Sequence, residues 1–257
     1  MIKFFRNIRQ NLVMENKTGK YFKYAIGEIV LVMIGILLAL QVNEWNNQRL
    51  EASNEQLFLK NLQSDFKANM VEFNKIYKSS ADAYLASHNL LEIIKKGGPI
   101  SNNTEIENLI DTIINDFSSL DLTDGSINEI INTGSLNIIK DRKLRKQLSN
   151  WSRTMNDMND DIKITVDYLF NNLIPSLKDK VLLRNIEIPQ RIIGNTRLPQ
   201  ISKSGFNIDY SKTIINHEFE NQVYFNALNY MFTLNAYKNT EAYLIETLEL
   251  IEDNIED

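Results

Sequence analysis

No cysteine occurs among the 257 residues. Disulfides are therefore excluded, as are a lipoprotein-type acylation site and any thiolate nucleophile or thiolate-held metal. Histidine is nearly absent too, with only His88 and His217, so a histidine-rich metal set lacks ligands. Phosphate loops, dinucleotide fingerprints, nucleophile elbows and zinc-protease helices are all missing. The chain reads as a non-enzyme with no cofactor and no metal. With nine glycines and four prolines, it also has long stretches free of helix breakers.

What is present first is an uneven charge and one greasy run. Lys3, Arg6, Arg9, Lys17, Lys20 and Lys23 stand against Glu15 in the first 24 residues, a net +5 that leaves −10 for the rest of a chain totalling −5. So acidic a remainder excludes nucleic acid as a partner. The segment at 25–42, AIGEIVLVMIGILLALQV, holds 18 residues with a single charge. As a helix it rises roughly 27 Å, close to the ~30 Å hydrocarbon core of a bilayer. The basic leader marks the cytoplasmic side and suits anionic membrane lipid. A cleaved signal peptide fits poorly, because the leader is long and Leu37-Leu38-Ala39-Leu40-Gln41-Val42 has no pair of small residues two apart. Tyr21, Phe22 and Tyr24 before the run and Trp45 after it stand at interfacial depth. The expected organisation is a cytoplasmic leader at 1–24, a transmembrane helix at 25–42 and an extracytoplasmic domain at 43–257. That is a single-pass inner-membrane protein with its C-terminal domain in the periplasm.

Beyond the run, apolar residues recur at alternating steps of three and four. Leu59, Leu62, Phe66, Met70, Phe73, Tyr77, Ala81, Tyr84, His88 and Leu91 form one stripe, closed by Lys95-Lys96-Gly97-Gly98-Pro99. Cations in the last turn, glycines for a left-handed cap and a following proline make a helix stop. No breaker lies at 44–96, which predicts one rod out of the bilayer with 43–47 as its place to bend. Thr104-x-x-Glu107 and Ser126-x-x-Glu129 predict two short helices opened by capping boxes, the first reaching Phe117 and the second ending at Gly134. Leu144, Leu148, Trp151, Met155, Met158, Ile162, Val166, Leu169 and Leu173 predict a long helix that begins after Asp141 and is stopped by Pro175. At 178–216 the period fails around Pro189, Gly194, Pro199 and Gly205, and Ile186-Glu187-Ile188 predicts a long connection with one small hairpin. Phe219, Val223, Ala227, Tyr230, Leu234, Tyr237, Leu244, Leu248, Ile251 and Ile255 restore the period in a final helix. The fold class is therefore all-α: a transmembrane helix followed by an antiparallel bundle of three long and two short helices with one irregular segment.

Two blocks carry a resemblance. Tyr24-Ala25-Ile26-Gly27-Glu28-Ile29, continuing through Gly35-Ile36-Leu37-Leu38-Ala39-Leu40-Gln41-Val42-Asn43-Glu44-Trp45-Asn46, resembles the start of an uncharacterised family of single-pass inner-membrane proteins abundant in Bacteroidota. Glu129-Ile130-Ile131-Asn132-Thr133-Gly134-Ser135-Leu136-Asn137-Ile138-Ile139-Lys140, with Leu144-Arg145 and Leu148, is similar to that family's second recurrent block. The resemblance covers the first 50 residues and the stretch at 124–151. It implies topology and a helical fold and carries over no catalytic residue.

Candidate sites are few. Glu28 lies one turn inside the apolar run, where an acid costs roughly 2–3 kcal/mol at full depth. On an ideal helix Gly35 and Ala39 fall within about 20° of it, giving one face of an acid and two small residues suited to close helix packing. The competing reading is a carboxylate that snorkels to the headgroups beside Lys17, Lys20 or Lys23. His88 sits on the first stripe with Glu92 four residues on, which fits a core or boundary histidine better than a ligand. His217-Glu218 marks a helix start. Asp157-x-Asn159-x-Asp161 imitates a calcium loop but has Ile162 where glycine is required and Tyr168 where the bidentate acid belongs. Arg184, Arg191, Arg197 and Lys203 make the irregular segment the preferred partner surface. The function that follows is a membrane-anchored interaction or scaffold module that binds a partner protein or forms a homo-oligomer. Alternatives are a sensory module for an unidentified small-molecule ligand, signalling through a partner, and an ion-channel plug subunit using Glu28.

Overall fold

The computed structural model describes residues 18–115, 122–186 and 201–256. Every regular element among them is helical, and no strand occurs there. Five helices carry the fold: α1 (Thr18–Lys96), α2 (Asn103–Asn115), α3 (Gly125–Asn132), α4 (Arg142–Tyr168) and α5 (His217–Asp253). The count of three long and two short helices is as expected. The chain divides into two compact units, Met1–Leu57 and Phe58–Asp257. The first contains the apolar part of α1, whose large side chains from Ile26 to Val42 are exposed.

Within the second unit, buried positions on α1 run Leu59, Leu62, Phe66, Asn69, Phe73, Ile76, Ser80, Ala83, Ser87, Leu90 and Ile94. Those steps alternate three and four without a slip, a period of 3.5 that keeps one seam facing its neighbours in a left-handed supercoil. Helix α5 does the same through Phe219, Val223, Asn226, Tyr230, Thr233, Tyr237, Thr240, Leu244, Thr247 and Ile251. The sequence stripe on α1 stepped to Met70, Tyr77, Ala81, Tyr84 and His88 by following apolar residues. The seam itself passes through Asn69, Ser80 and Ser87, so His88 is exposed and not a core residue.

Two apolar cores result. One gathers the first half of α1's seam with α3, α4 from Leu144 to Ile162 and the end of α5; the other joins the last turns of α1 to α2, the turns that follow α4 from Leu169 to Val181 and the start of α5. Each Leu or Phe fully withdrawn from water contributes about 1.5–3 kcal/mol. Phe66 stacks edge-on against Trp151 at 5.3 Å, and Phe73 does so against Tyr237 at 5.6 Å. Because one core joins the earlier part of the α1 seam to Leu144 and to Ile251 while the other joins its last turns to Leu169 and to Phe219, α1 and α4 run parallel, whereas α5 opposes both. The antiparallel expectation thus holds for α5 and fails for α1 with α4. The cause is the crossover through α2 and α3, which returns the chain to the Leu59 end before α4 begins.

Local signals hold in part. Gly97, Gly98 and Gly134 all take positive φ, at 62°, 86° and 68°, where they end helices. Asp141 Oδ1 caps α4 by accepting from the Leu144 amide at 2.6 Å, and Asn216 Oδ1 caps α5 through Phe219 at 2.9 Å. Neither predicted capping box forms. Asn102 Oδ1 accepts from the Thr104 amide at the start of α2, and Glu107 turns into the protein. At α3 the donor is Ser126 N–H and the acceptor is Asp65 Oδ2 on α1, at 3.2 Å. Helix α2 is seen to Asn115; its predicted end at Phe117 lies outside the described residues.

Pro175 does not stop α4. A π-turn at Leu169–Leu173 precedes it, with Ile174 N–H donating to the Leu169 carbonyl, and one more α-turn follows at Ile174–Ser176. The extra residue carries the chain past a position that has no N–H. Burial then proceeds by fours through Leu169, Leu173, Leu177 and Val181. The predicted hairpin is absent from the described part of 178–216, which holds a 3₁₀ turn at Leu183–Asn185 and a single turn at Tyr210–Thr213; Glu187 and Ile188 lie outside the described residues.

Candidate functional site

Between the two apolar cores lies a polar waist. Thr165 and Thr233 share a hydroxyl hydrogen bond at 2.7 Å, and Asn226 Nδ2 donates to Ser87 Oγ at 3.2 Å. Ser87 Oγ in turn donates to the Ala83 carbonyl, Ser80 hydrogen-bonds with Tyr237, and Tyr230 Oη donates to the Ile113 carbonyl at 3.3 Å. Asn226 Oδ1 is buried and meets no donor among the described residues. Polar groups on a heptad seam cost stability, and the hydrogen bonds made across this waist offset part of that cost.

A second polar cluster fastens the irregular segment. Glu107, 6% exposed, accepts from Tyr210 Oη at 2.8 Å and from Asn185 Nδ2 at 2.7 Å. Tyr210 Oη also accepts the Leu182 amide, and Asn185 Oδ1 accepts the Ser204 amide at 2.8 Å. Burial, with the Glu107 carboxylate adding to it, pushes the Tyr210 phenol up to about 12. One carboxylate on α2 therefore links, directly or through one side chain, Leu182, Asn185, Ser204 and Tyr210. Sequence reasoning missed this because it assigned Glu107 to a helix cap; an acid at a position in phase with Ile106, Ile110 and Ile113 was the available signal.

Of the predicted partner surface, Arg184 and Lys203 fall among the described residues, and both are exposed. Arg184 Nε and Nη2 donate to the Ser202 carbonyl at 2.7 Å and the Ser202 hydroxyl at 3.0 Å, so the guanidinium helps fold the segment. Arg191 and Arg197 lie outside the described residues. A denser basic run sits elsewhere, at Lys140, Arg142, Lys143, Arg145 and Lys146. Its signal in the sequence is the string KDRKLRK at 140–146.

Along the apolar part of α1, Glu28 is half-buried while Gly35 and Ala39 are exposed on the same helical face. A Cβ built at Gly35 meets nothing within 4 Å. His217 opens α5 as expected and is exposed. Asp157, Asn159 and Asp161 lie on the outer face of α4, and no group of three metal-binding side chains occurs among the described residues.

Two shallow clefts are present. One of about 210 Å³ is lined by Leu122, Asp124, Trp151, Met155 and Asn159, and one of about 170 Å³ lies at the corner between α1 and α2. Both are below the roughly 300–1,000 Å³ of ordinary ligand sites.

Residues 28–155 match the model of a family described as a family of unknown function (DUF6090). The match takes in the whole second block of resemblance and the first block from Glu28 onward. No curated protein and no solved structure gives a significant match to the chain.

Proposed function

We propose, starting from that family match and from the two units of the chain, that this protein is a membrane-anchored interaction module whose helical domain lies outside the cytoplasm. The observation that carries the reading is the apolar part of α1. Its most apolar stretch has a mean hydropathy of 2.4, and none of it is buried by the rest of the chain. A surface this greasy needs lipid or another apolar helix as its solvent. The second unit has its own two cores and no such need. The basic leader sets direction by the positive-inside rule.

Activity then rests on surfaces. The acid of Glu28 beside Gly35 and Ala39 suits helix packing within the bilayer, and the domain supplies a second place for contact. A ligand-sensing module has less support, because the clefts are small.

The test is a reporter fused after Asp257 together with alkaline extraction of membranes. A reporter active only outside the cytoplasm, in a chain that resists extraction, is the expected result. A reporter active only in the cytoplasm, or a trimmed and freely soluble chain, overturns the reading.

A further inference from the structure

We infer that the outer face shared by α4 and α5 docks a second copy of this chain, about a two-fold axis running along the bundle. The face and the direction of the axis both rest on exposure and charge within the second unit, independently of the membrane-anchored reading above.

Exposed apolar side chains line the groove between the two helices, while α4 also exposes Asp157, Asp160 and Asp161. The Thr165–Thr233 pair sets the register of the two helices, and Tyr168 meets Phe225 with ring centroids 6.3 Å apart on one flank of their groove. Ile164 lies four residues before Tyr168 and Phe232 seven after Phe225, so helical geometry puts both on that same flank. Ile164 is 61% exposed, Phe225 50% and Phe232 58%, and Tyr224, at 52%, stacks edge-on against Phe225 at 5.8 Å. With half of each ring in water, and an aromatic side chain worth about 150–250 Å², these residues with Leu228 and Met231 offer roughly 500 Å². Two copies facing each other would withdraw about 1,000 Å² before any polar rim is counted, the size at which a specific interface begins.

Charge says what covers it. Tyr243 Oη donates to the Gln147 carbonyl and Trp151 stacks on Tyr243, so the start of α4 stands level with the end of α5. On the outer face at that level α4 presents Lys143 and Lys146, and α5 presents Glu246, Glu249 and Asp253, all exposed. Among the described residues none of these five forms an ion pair within the chain. A two-fold axis along the bundle sets α4 of one copy against α5 of the other at equal height. It brings lysines to carboxylates and rings to rings at once, whereas an antiparallel pairing would move the charges out of register. The contact also falls at the polar waist, where the bundle's own apolar packing is interrupted.

The full chain, which has no cysteine of its own, gives a clean test in membranes. Phe232→Cys is expected to join two copies through a short bis-maleimide, and Leu85→Cys, exposed on α1, is expected to leave them single. Phe225→Ser with Phe232→Ser should reduce dimer crosslinked through Arg142→Cys at least tenfold; both rings are exposed, so the fold persists. Lys143→Glu with Lys146→Glu should lower dimer seen through Phe232→Cys, and adding Glu249→Lys with Asp253→Lys should restore it. No dimer through Phe232→Cys when the thiol is accessible to a monomeric maleimide, a dimer through Leu85→Cys instead, or capture of a different protein overturns the proposal. A cytoplasmic reporter with dimer intact would remove the anchored reading and leave the face standing.

Discussion

Asn69 holds Thr123 by both of its backbone groups: Nδ2 donates to the Thr123 carbonyl at 2.8 Å, and Oδ1 accepts the Thr123 amide at 2.7 Å. An amide side chain on the α1 seam thereby replaces a strand partner for the segment that leads into α3. Asn69→Ala is expected to lower stability by about 2–3 kcal/mol, since two backbone groups lose their partners. Asn69→Leu should be no better, although it restores an apolar seam. Urea unfolding of the full chain in detergent, followed by circular dichroism, measures both. A loss under about 0.5 kcal/mol in either would show that water serves Thr123 equally well.

The hydroxyl pair at the waist predicts a non-additive result. Thr165→Val or Thr233→Val alone strands one buried hydroxyl, at a cost of about 1–2 kcal/mol. The double variant removes both hydroxyls and keeps their shape, so it should recover most of that loss. A double-mutant cycle reads the coupling directly, and additive losses would mean the pair does not act as a unit.

Tyr210 predicts alkaline sensitivity. Its folded pKa is raised from 10 to about 12, so the contribution of the protonated phenol is complete below pH 10 and is lost as pH rises towards 12. Tyr168 and Tyr237, both raised by burial, act in the same sense. Tyr210→Phe should flatten the fall in stability between pH 10 and 12. At pH 7 it should cost about 1.5–3 kcal/mol, because the Glu107 carboxylate keeps one donor in place of two. An unchanged alkaline slope would separate Tyr210 from this behaviour.

Acid sensitivity has a named contributor at the other end. Lys67 Nζ and Gln63 Nε2 each lie 3.0 Å from Glu252 Oε1 and hold its carboxyl below the ordinary glutamate value. The stabilisation is present above the unfolded pKa and lost as pH falls through the lowered folded one. Carbon-detected titration of Glu252 should show a depressed midpoint that moves back up in Lys67→Met. A midpoint already at about 4.3 in the unaltered chain would remove the interaction.

Helix number and order, the stops at Lys96 and Gly134 and the starts after Asp141 and at His217 were legible because their causes are local; the capping boxes and the stop at Pro175 were not. The glycines after Lys96 and at Gly134, the caps at Asp141 and Asn216, and the apolar run at 25–42 each act within a few residues of themselves. Periodicity identified most buried positions on α4 and α5, since a helix repeats its burying face at fixed steps, but on α1 it found only Leu59, Leu62, Phe66 and Phe73.

Side chains whose role depends on a distant partner were not legible. Whether Asn69 or Met70 lies on the seam turns on Thr123, 54 residues away, and only the folded chain brings it there. Glu107 looked like a cap residue until Tyr210 and Asn185 supplied donors from across 103 and 78 residues. The parallel course of α1 and α4 depends on how far α2 and α3 carry the chain back, which no local spacing states. By itself the sequence determined an acidic helical chain with one greasy segment, because composition and period are properties of the string. Tertiary structure alone decided which polar groups are paired inside the bundle and which rings are left facing water, because burial belongs to pairs of surfaces that meet only after folding.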